Sequence, residues 1–450
     1  MDLTKGPITA HVKEIAIPAS LGFFFSTMFN VVDTYFAGWI STEALAALAI
    51  SFPVFFLVIA FVHGISTGSS ALISNSLGAK DEKTAERLTA QVLTFAFFTY
   101  LLITPIGLLS SSFLFQVLGA SDEFLEMSVA YMNIIFIGSF FLIMLYAANS
   151  ALLARGNSVV LKNYLIGTFF LNIILNPWFL YGGLGIPPLG IRGIALATVV
   201  AMGIGFFYVM YKVWYAGFLR LARPKDFIPN GRVFLEIAKQ SLPASLNMMT
   251  IGIGIFVITY FIKDFGKAAI AAYGIGTRIE QIAILPTIGL TIASLAIIGQ
   301  NNGAGLIGRI EETLRITLRY GIYIVLVGCI SMYLFSDKLF QIFSQDQQVI
   351  EIGAKYLRIA ALTESAYVIL GISISGLQGM KLPFYALWLG LLRQIIFPIS
   401  VFYLVTRVLH YGLESVWWSI FFITWTAALV TLWYIQKVIK EKSKNSGLIL

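Results

Sequence analysis

Cysteine, histidine and charge are all scarce in this chain. A single cysteine, Cys329, stands among 450 residues, which excludes an internal disulfide and any Cys-rich metal cluster. The three histidines, His11, His63 and His410, lie far apart in the sequence and supply no convergent set for zinc or for nucleophilic catalysis, so an integral-membrane enzyme is disfavoured. No hydrolase elbow, zinc motif or phosphate loop occurs, and Gly303-Ala304-Gly305 lacks the lysine and the spacing that a phosphate loop needs. Charged residues make up 12% of the chain, against about 25% in soluble domains. Hydrophobic residues make up 58%, and a water-soluble fold would have to expose apolar side chains over its whole surface.

What the chain has instead is long apolar runs. Ala44–Ala79, Leu88–Ser121, Met127–Ala154, Asn163–Ile191, Gln240–Ile262, Gln281–Gly308 and Ser415–Gln436 are free of Asp, Glu, Lys and Arg. A helix crosses the hydrocarbon core in about 20 residues, and none of these runs shows the alternation of a barrel strand. Twelve helices are expected, with Ile15–Val32 as a retained first span and not a cleaved signal peptide.

The chain also repeats itself at an offset of 225 residues. Pro18-Ala19-Ser20-Leu21 recurs as Pro243-Ala244-Ser245-Leu246, Gly78-Ala79 as Gly303-Ala304, Glu86 as Glu311, Glu126 as Glu351 and Tyr131 as Tyr356. Six spans per copy bring both copies into the bilayer from the same side, so the repeat is parallel. The expected fold is an all-α integral membrane protein with twelve transmembrane helices in two six-helix lobes, residues 1–225 and 226–450, related by a parallel pseudo-twofold repeat. Ala216–Arg232 reads as the linker between them, and Tyr181–Gly193 as a tight turn rich in Gly and Pro. Of the 30 Lys and Arg, 21 fall on the side of the termini and of that linker. The positive-inside rule then places both termini in the cytoplasm of a cell bounded by the plasma (inner) membrane. The same rule accounts for the net charge of +8, and no nucleic-acid partner is expected.

A carboxylate inside a bilayer costs about 3 kcal/mol on insertion scales, so each one needs a reason. Asp33 is the deepest, and Ser26, Asn30 and Asp33 follow at helical spacing. Asn172 and Asn176 lie four apart on the fifth span, and Thr198 sits at similar depth on the sixth. Pro177 leaves a backbone carbonyl one turn back without its usual donor. One carboxylate among neutral oxygens suits a proton or a monovalent cation better than a divalent metal. The second copy has Ile258 where Asp33 would recur, and carries Glu280 beside Arg278, and Glu364, instead. These are candidates for a substrate or secondary proton site. Tyr35 is one of several aromatics expected to line a cleft for planar cations.

The run Phe29-Asn30-Val31-Val32-Asp33-Thr34-Tyr35-Phe36-Ala37-Gly38 resembles the MATE family of multidrug and toxic compound extrusion transporters. So do Arg278-Ile279-Glu280-Gln281 with Gly299-Gln300-Asn301-Asn302-Gly303-Ala304, and Leu171–Pro177 with Gly193–Thr198. The resemblance covers the whole chain and leans toward the DinF-like branch. It implies efflux of organic cations and amphipathic drugs, driven by inward H⁺ or Na⁺ through alternating access, with Asp33 as the coupling carboxylate. It further implies a cation site that uses Asn172 and Thr198, and places Asn176 where well-known relatives carry a second acid. That departure tilts the expectation toward H⁺. The expected partners are small amphipathic or cationic molecules and the lipid bilayer, with no cofactor beyond the coupling ion, and the chain is expected to act as a monomer. A lipid-linked oligosaccharide flippase is the alternative, and it would call for several membrane-depth Arg or Lys where the sequence offers Arg278 and Arg393 at most.

Overall fold

The computed structural model describes residues 1–183, 185–220 and 222–445; Leu184, in the extracellular turn, and Leu221, in the linker, lie outside the described residues. Among the described residues twelve helices are long and apolar enough to cross a membrane. The first copy supplies α1 (Ile8–Ile40), α2 (Thr42–Gly78), α3 (Glu82–Val117), α4 (Asp122–Ala154), α5 (Val159–Tyr181) and α6 (Ile191–Tyr215). The second supplies α7 (Gly231–Ile262), α8 (Lys267–Gly303), α9 (Ile307–Leu334), the short α10 (Ser336–Gln341) and α11 (Gln347–Gly379). The eleventh span, Pro383–Val408, is built from α12 (Pro383–Leu391) and α13 (Phe397–Tyr403), each followed by a π-helical turn, and α14 (Glu414–Asn445) is the last.

Local chemistry sets the ends. Ser41 accepts the Ala44 N–H at the start of α2, and Asp81 accepts the Thr84 N–H at the start of α3, each meeting one of the four donors a helix leaves free. Gly182 stops α5 at φ +80°, where a side chain would strain the backbone. Gly183 and Ile186 then exchange two main-chain hydrogen bonds of 2.9 and 3.1 Å, closing the tight turn before α6.

Packing divides the chain at other points than the repeat does. One unit comprises Leu21–Ser245, the other Met1–Ser20 with Leu246–Leu450. The expected boundary at 225/226 is thus replaced by two boundaries, after Ser20 and after Ser245, which are themselves 225 residues apart. The reason lies in matched helix crossings. Gly64 of α2 lies against Ser241 and Ser245 of α7, so close that a Cβ would overlap the Ser245 hydroxyl. Its repeat equivalent, Gly289 of α8, lies against Ala16 and Ser20 of α1 in the same way. Ser20 Oγ donates to the Pro286 carbonyl (2.6 Å) and accepts the Gly289 N–H (3.2 Å). In lipid, where apolar burial does not drive helices together, small residues that let backbones approach do. The head of each copy's first helix therefore belongs to the unit that holds the other copy's second.

Within each unit the fourth span of the copy is the hub. α2, α3 and α6 pack on α4, and α8, α9 and α14 pack on α11. α5 is held against α6 by Leu175, Phe179, Ala197 and Ala201, and Gly193 approaches the Phe179 carbonyl closely enough to exclude any side chain. This pairing places the polar face of α5 beside Thr198.

Candidate cation site

Four of the five residues expected at the coupling site come together within the unit Leu21–Ser245. Asp33 of α1 is 5% exposed, and Asn172 and Asn176 of α5 and Thr198 of α6 are equally withdrawn from solvent. Asn172 Nδ2 and Asn176 Nδ2 each donate to Asp33 Oδ1 at 2.9 Å, and Thr198 Oγ1 donates to Oδ2 at 3.2 Å. Asn176 Nδ2 also reaches Asn172 Oδ1 at 3.0 Å, which the four-residue spacing on one helix face permits. All three partners of the carboxylate are neutral, and among the described residues no ion pair includes Asp33. Asn176 Oδ1 is buried with no partner, an acceptor that the site leaves to a proton or a cation.

Asn30 is the one that does not join. Its Nδ2 donates to the Ser26 carbonyl of its own helix at 3.0 Å, and the residue is exposed. Three residues of helix turn the side chain far enough from Asp33 to miss α5 and α6. Tyr131 of α4 was read as a mere landmark of the repeat, yet it lies within electrostatic reach of Asp33 and is 8% exposed.

The second unit holds a second buried acid cluster. Glu280 of α8 and Glu364 of α11 lie within electrostatic reach of one another, and Glu280 Oε1 and Glu364 Oε2 are buried with no hydrogen-bond partner. Tyr356, the repeat equivalent of Tyr131, is within hydrogen-bonding reach of Glu280. It packs edge-on against Tyr273 and Trp417 at 5.6 and 4.7 Å. Each copy thus sets the same tyrosine beside its own acid, although the acids occupy different positions; the repeat itself was the signal that pointed to both. Arg393, in the first π-helical turn, lies over the Tyr367 ring at 5.5 Å. Arg278 is exposed, and Tyr35 is 57% exposed and stacks on Trp39 at 5.1 Å, so neither contributes to either cluster.

Among the described residues no group of three His, Cys, Asp or Glu side chains converges as a metal site would require. The arrangement can neutralise and restore one charge: the carboxylate accepts three hydrogen bonds when ionised, and must re-pair one oxygen when protonated.

Comparisons with known proteins match this architecture over nearly its whole length. The sequence model of the MatE family matches residues 18–178 and again 243–404, one match per copy of the repeat. The chain is 29% identical over 330 residues to the probable multidrug resistance protein YoeA of Bacillus subtilis, covering 71% of this chain and 70% of that one. It is 26% identical over 402 residues to a FAD transporter of Shewanella oneidensis, covering 88% and 87%. A solved structure of a MOP superfamily transporter from Pyrococcus furiosus superposes with a TM-score of 0.90 over 98% of both chains at 24% identity.

Proposed function

The chain belongs to the MatE family, and on that premise we propose that this multi-pass membrane transporter is a multidrug efflux antiporter. It exports small amphipathic or cationic molecules in exchange for H⁺ or Na⁺ by alternating access. Asp33 is the coupling carboxylate, and the site it forms with Asn172, Asn176 and Thr198 takes the ion. The observation that carries this reading is a buried acid with three neutral donors, no ion pair and an unused acceptor, Asn176 Oδ1, beside it. A permanent structural role would be met by a basic partner, because an unpaired buried charge is costly. A site without one is suited to gaining and losing a cation.

Ionised, Asp33 draws α1, α5 and α6 together through hydrogen bonds of the charge-assisted kind, each worth about 1.5–3 kcal/mol. Neutralised, it releases at least one of them and turns a donor toward Asn176 Oδ1. A proton or ion therefore biases the packing of three helices, and a substrate that favours the opposite packing is coupled to it. Glu280 and Glu364 serve as a second acidic site in the other unit, for a cationic substrate or a second proton. The protein works as a monomer in the inner membrane with both termini cytoplasmic, needs no cofactor beyond the coupling ion and engages no nucleic acid.

The test is efflux of a fluorescent organic cation from proteoliposomes under imposed pH or Na⁺ gradients, comparing the natural sequence with Asp33→Asn. Efflux under one gradient, abolished in the variant, is the expected result and names the ion. Equal efflux by both proteins would move the coupling site to Glu280 and Glu364. Because one relative carries the name FAD transporter, FAD is the control substrate, and FAD export in preference to the cation would overturn the substrate class.

A further inference from the structure

The motif Gly299–Ala304 at the end of α8 has no part in either acid cluster, yet its amides are fully employed. Gln300 Oε1 accepts the Leu3 N–H at 2.9 Å, and Asn301 Nδ2 donates to the Leu3 carbonyl at 3.2 Å. Arg309 of α9 completes the grip: Nη1 reaches the Gly6 carbonyl at 3.0 Å, Nη2 the Leu3 carbonyl at 3.1 Å, and Nε is held by Asn301 Oδ1 at 3.0 Å. Leu3 itself is fully buried. The charged and titratable groups around this grip are Lys5 and His11, whose Nε2 lies 2.6 Å from the Lys5 carbonyl, and Lys442 of α14, which donates to Asn302 Oδ1 at 2.9 Å with Lys381 nearby.

A pinned chain end is ordinarily just an ordered end. The repeat argues for more. Ile228 is the equivalent of Leu3, and the segment around it, which leads into α7, is also held by its main chain. Gln91 of α3 donates to the Asp226 carbonyl at 2.5 Å and the Ile228 carbonyl at 2.8 Å, and accepts the Asn230 N–H at 3.0 Å. Thr94 adds the Phe227 carbonyl at 3.0 Å. The gripping residues are not repeat equivalents of one another: the second copy has Ile316 where Gln91 would recur, and the first has Thr84 where Arg309 would. Different side chains thus meet the same requirement twice, and the requirement common to both is that the lead-in to the copy's first helix be fixed.

We propose that Gln300, Asn301 and Arg309 form a main-chain latch that sets the axial position of α1 and thereby positions Asp33. α1 is one helix from Ile8 to Ile40, and a helix bends far more readily than it lengthens, since its rise of about 1.5 Å per residue is fixed by the hydrogen-bonded backbone. Asp33 lies about 38 Å along it from Ile8 by that rise. Its bonds to Asn172, Asn176 and Thr198 hold only in one register. Arg309 acts through the helix and touches neither ion nor substrate; it is a positioning residue. The inference rests on Asp33 as the coupling group.

The experiment uses the full chain in proteoliposomes with Cys329→Ser and Leu3→Cys, the latter a reporter for a thiol reagent. In the latched protein Leu3→Cys reacts slowly, and adding Arg309→Ala raises its rate at least about tenfold, as exposure of a buried thiol does. In the chain without Leu3→Cys, Arg309→Ala shifts the H⁺ or Na⁺ concentration that half-saturates transport at least about threefold, half a logarithmic unit, and Arg309→Lys falls between. Should Arg309→Ala fail to fold, Gln300→Ala is read in its place. Unchanged labelling overturns the latch, as does an unchanged half-saturation when labelling rises. Asp33→Asn runs alongside: activity equal to the natural sequence sinks the coupling reading, whereas its loss with Arg309→Ala unshifted sinks the latch alone.

Discussion

At Asp33 the two carboxylate oxygens are unequally served, Oδ1 by two asparagines and Oδ2 by one threonine. Asn176 is therefore the more informative residue to change, because it holds both a donor in use and an acceptor in reserve. Asn176→Leu removes one charge-assisted bond and the spare acceptor, so the apparent affinity for the coupling ion should fall about tenfold or more. Asn30→Ala, whose side chain bonds only its own helix, should leave that affinity within about twofold; a dose series of H⁺ or Na⁺ in the transport assay reads both. The contrast marks how far the sequence spoke at this scale. A buried acid and two asparagines four apart announce themselves by their cost in lipid. The three-residue step from Asn30 to Asp33 was a looser sign, since a helix face is wide enough to hold both and the neighbouring helices met only one. Tyr131 and Tyr356 stood out as repeated residues, but nothing in the sequence placed an acid beside them, because the acids come from other helices at positions the repeat does not share.

Helix number and order were legible from run length alone, and every expected span is present. What the runs did not reveal is where helices pass from one packing unit to the other, because a long apolar run reads the same on both sides of such a point. The signal was nonetheless there in Pro18–Leu21 and Pro243–Leu246: the serine of each tetrapeptide is the residue that seats on Gly289 or Gly64. Those glycines tolerate no side chain. Gly64→Val should leave little folded protein on detergent extraction and size-exclusion chromatography, with Gly289→Val doing the same. Gly289→Ala should be partly rescued by Ser20→Gly, which opens room at one of the two atoms a Cβ there would meet. Full stability of Gly64→Val would show the crossing to be looser than its geometry. The two π-helical turns, Leu392–Ile396 and Leu404–Val408, left no trace in composition; a π turn adds one residue without changing hydrophobicity.

For the molecule as a whole, the uneven distribution of Lys and Arg makes a topological prediction. In a Cys329→Ser background, cysteines at Lys80 and Lys225 should be protected from an impermeant thiol reagent in intact cells, and one at Asp122 should react. The opposite pattern would invert the protein in its membrane. The repeat, the twelve spans and the lone coupling acid were all legible at this scale, whereas the latch was not: main-chain carbonyls have no sequence signature. The matched crossings also bear on ancestry. A single copy has a second-helix glycine with no seated serine of its own, and a first-helix head with no groove of its own to occupy. Before the copies were fused, two such chains would have had to trade heads to be complete, each lending what the other lacked. The fusion then made permanent, within one gene product, an exchange that had been a condition of folding.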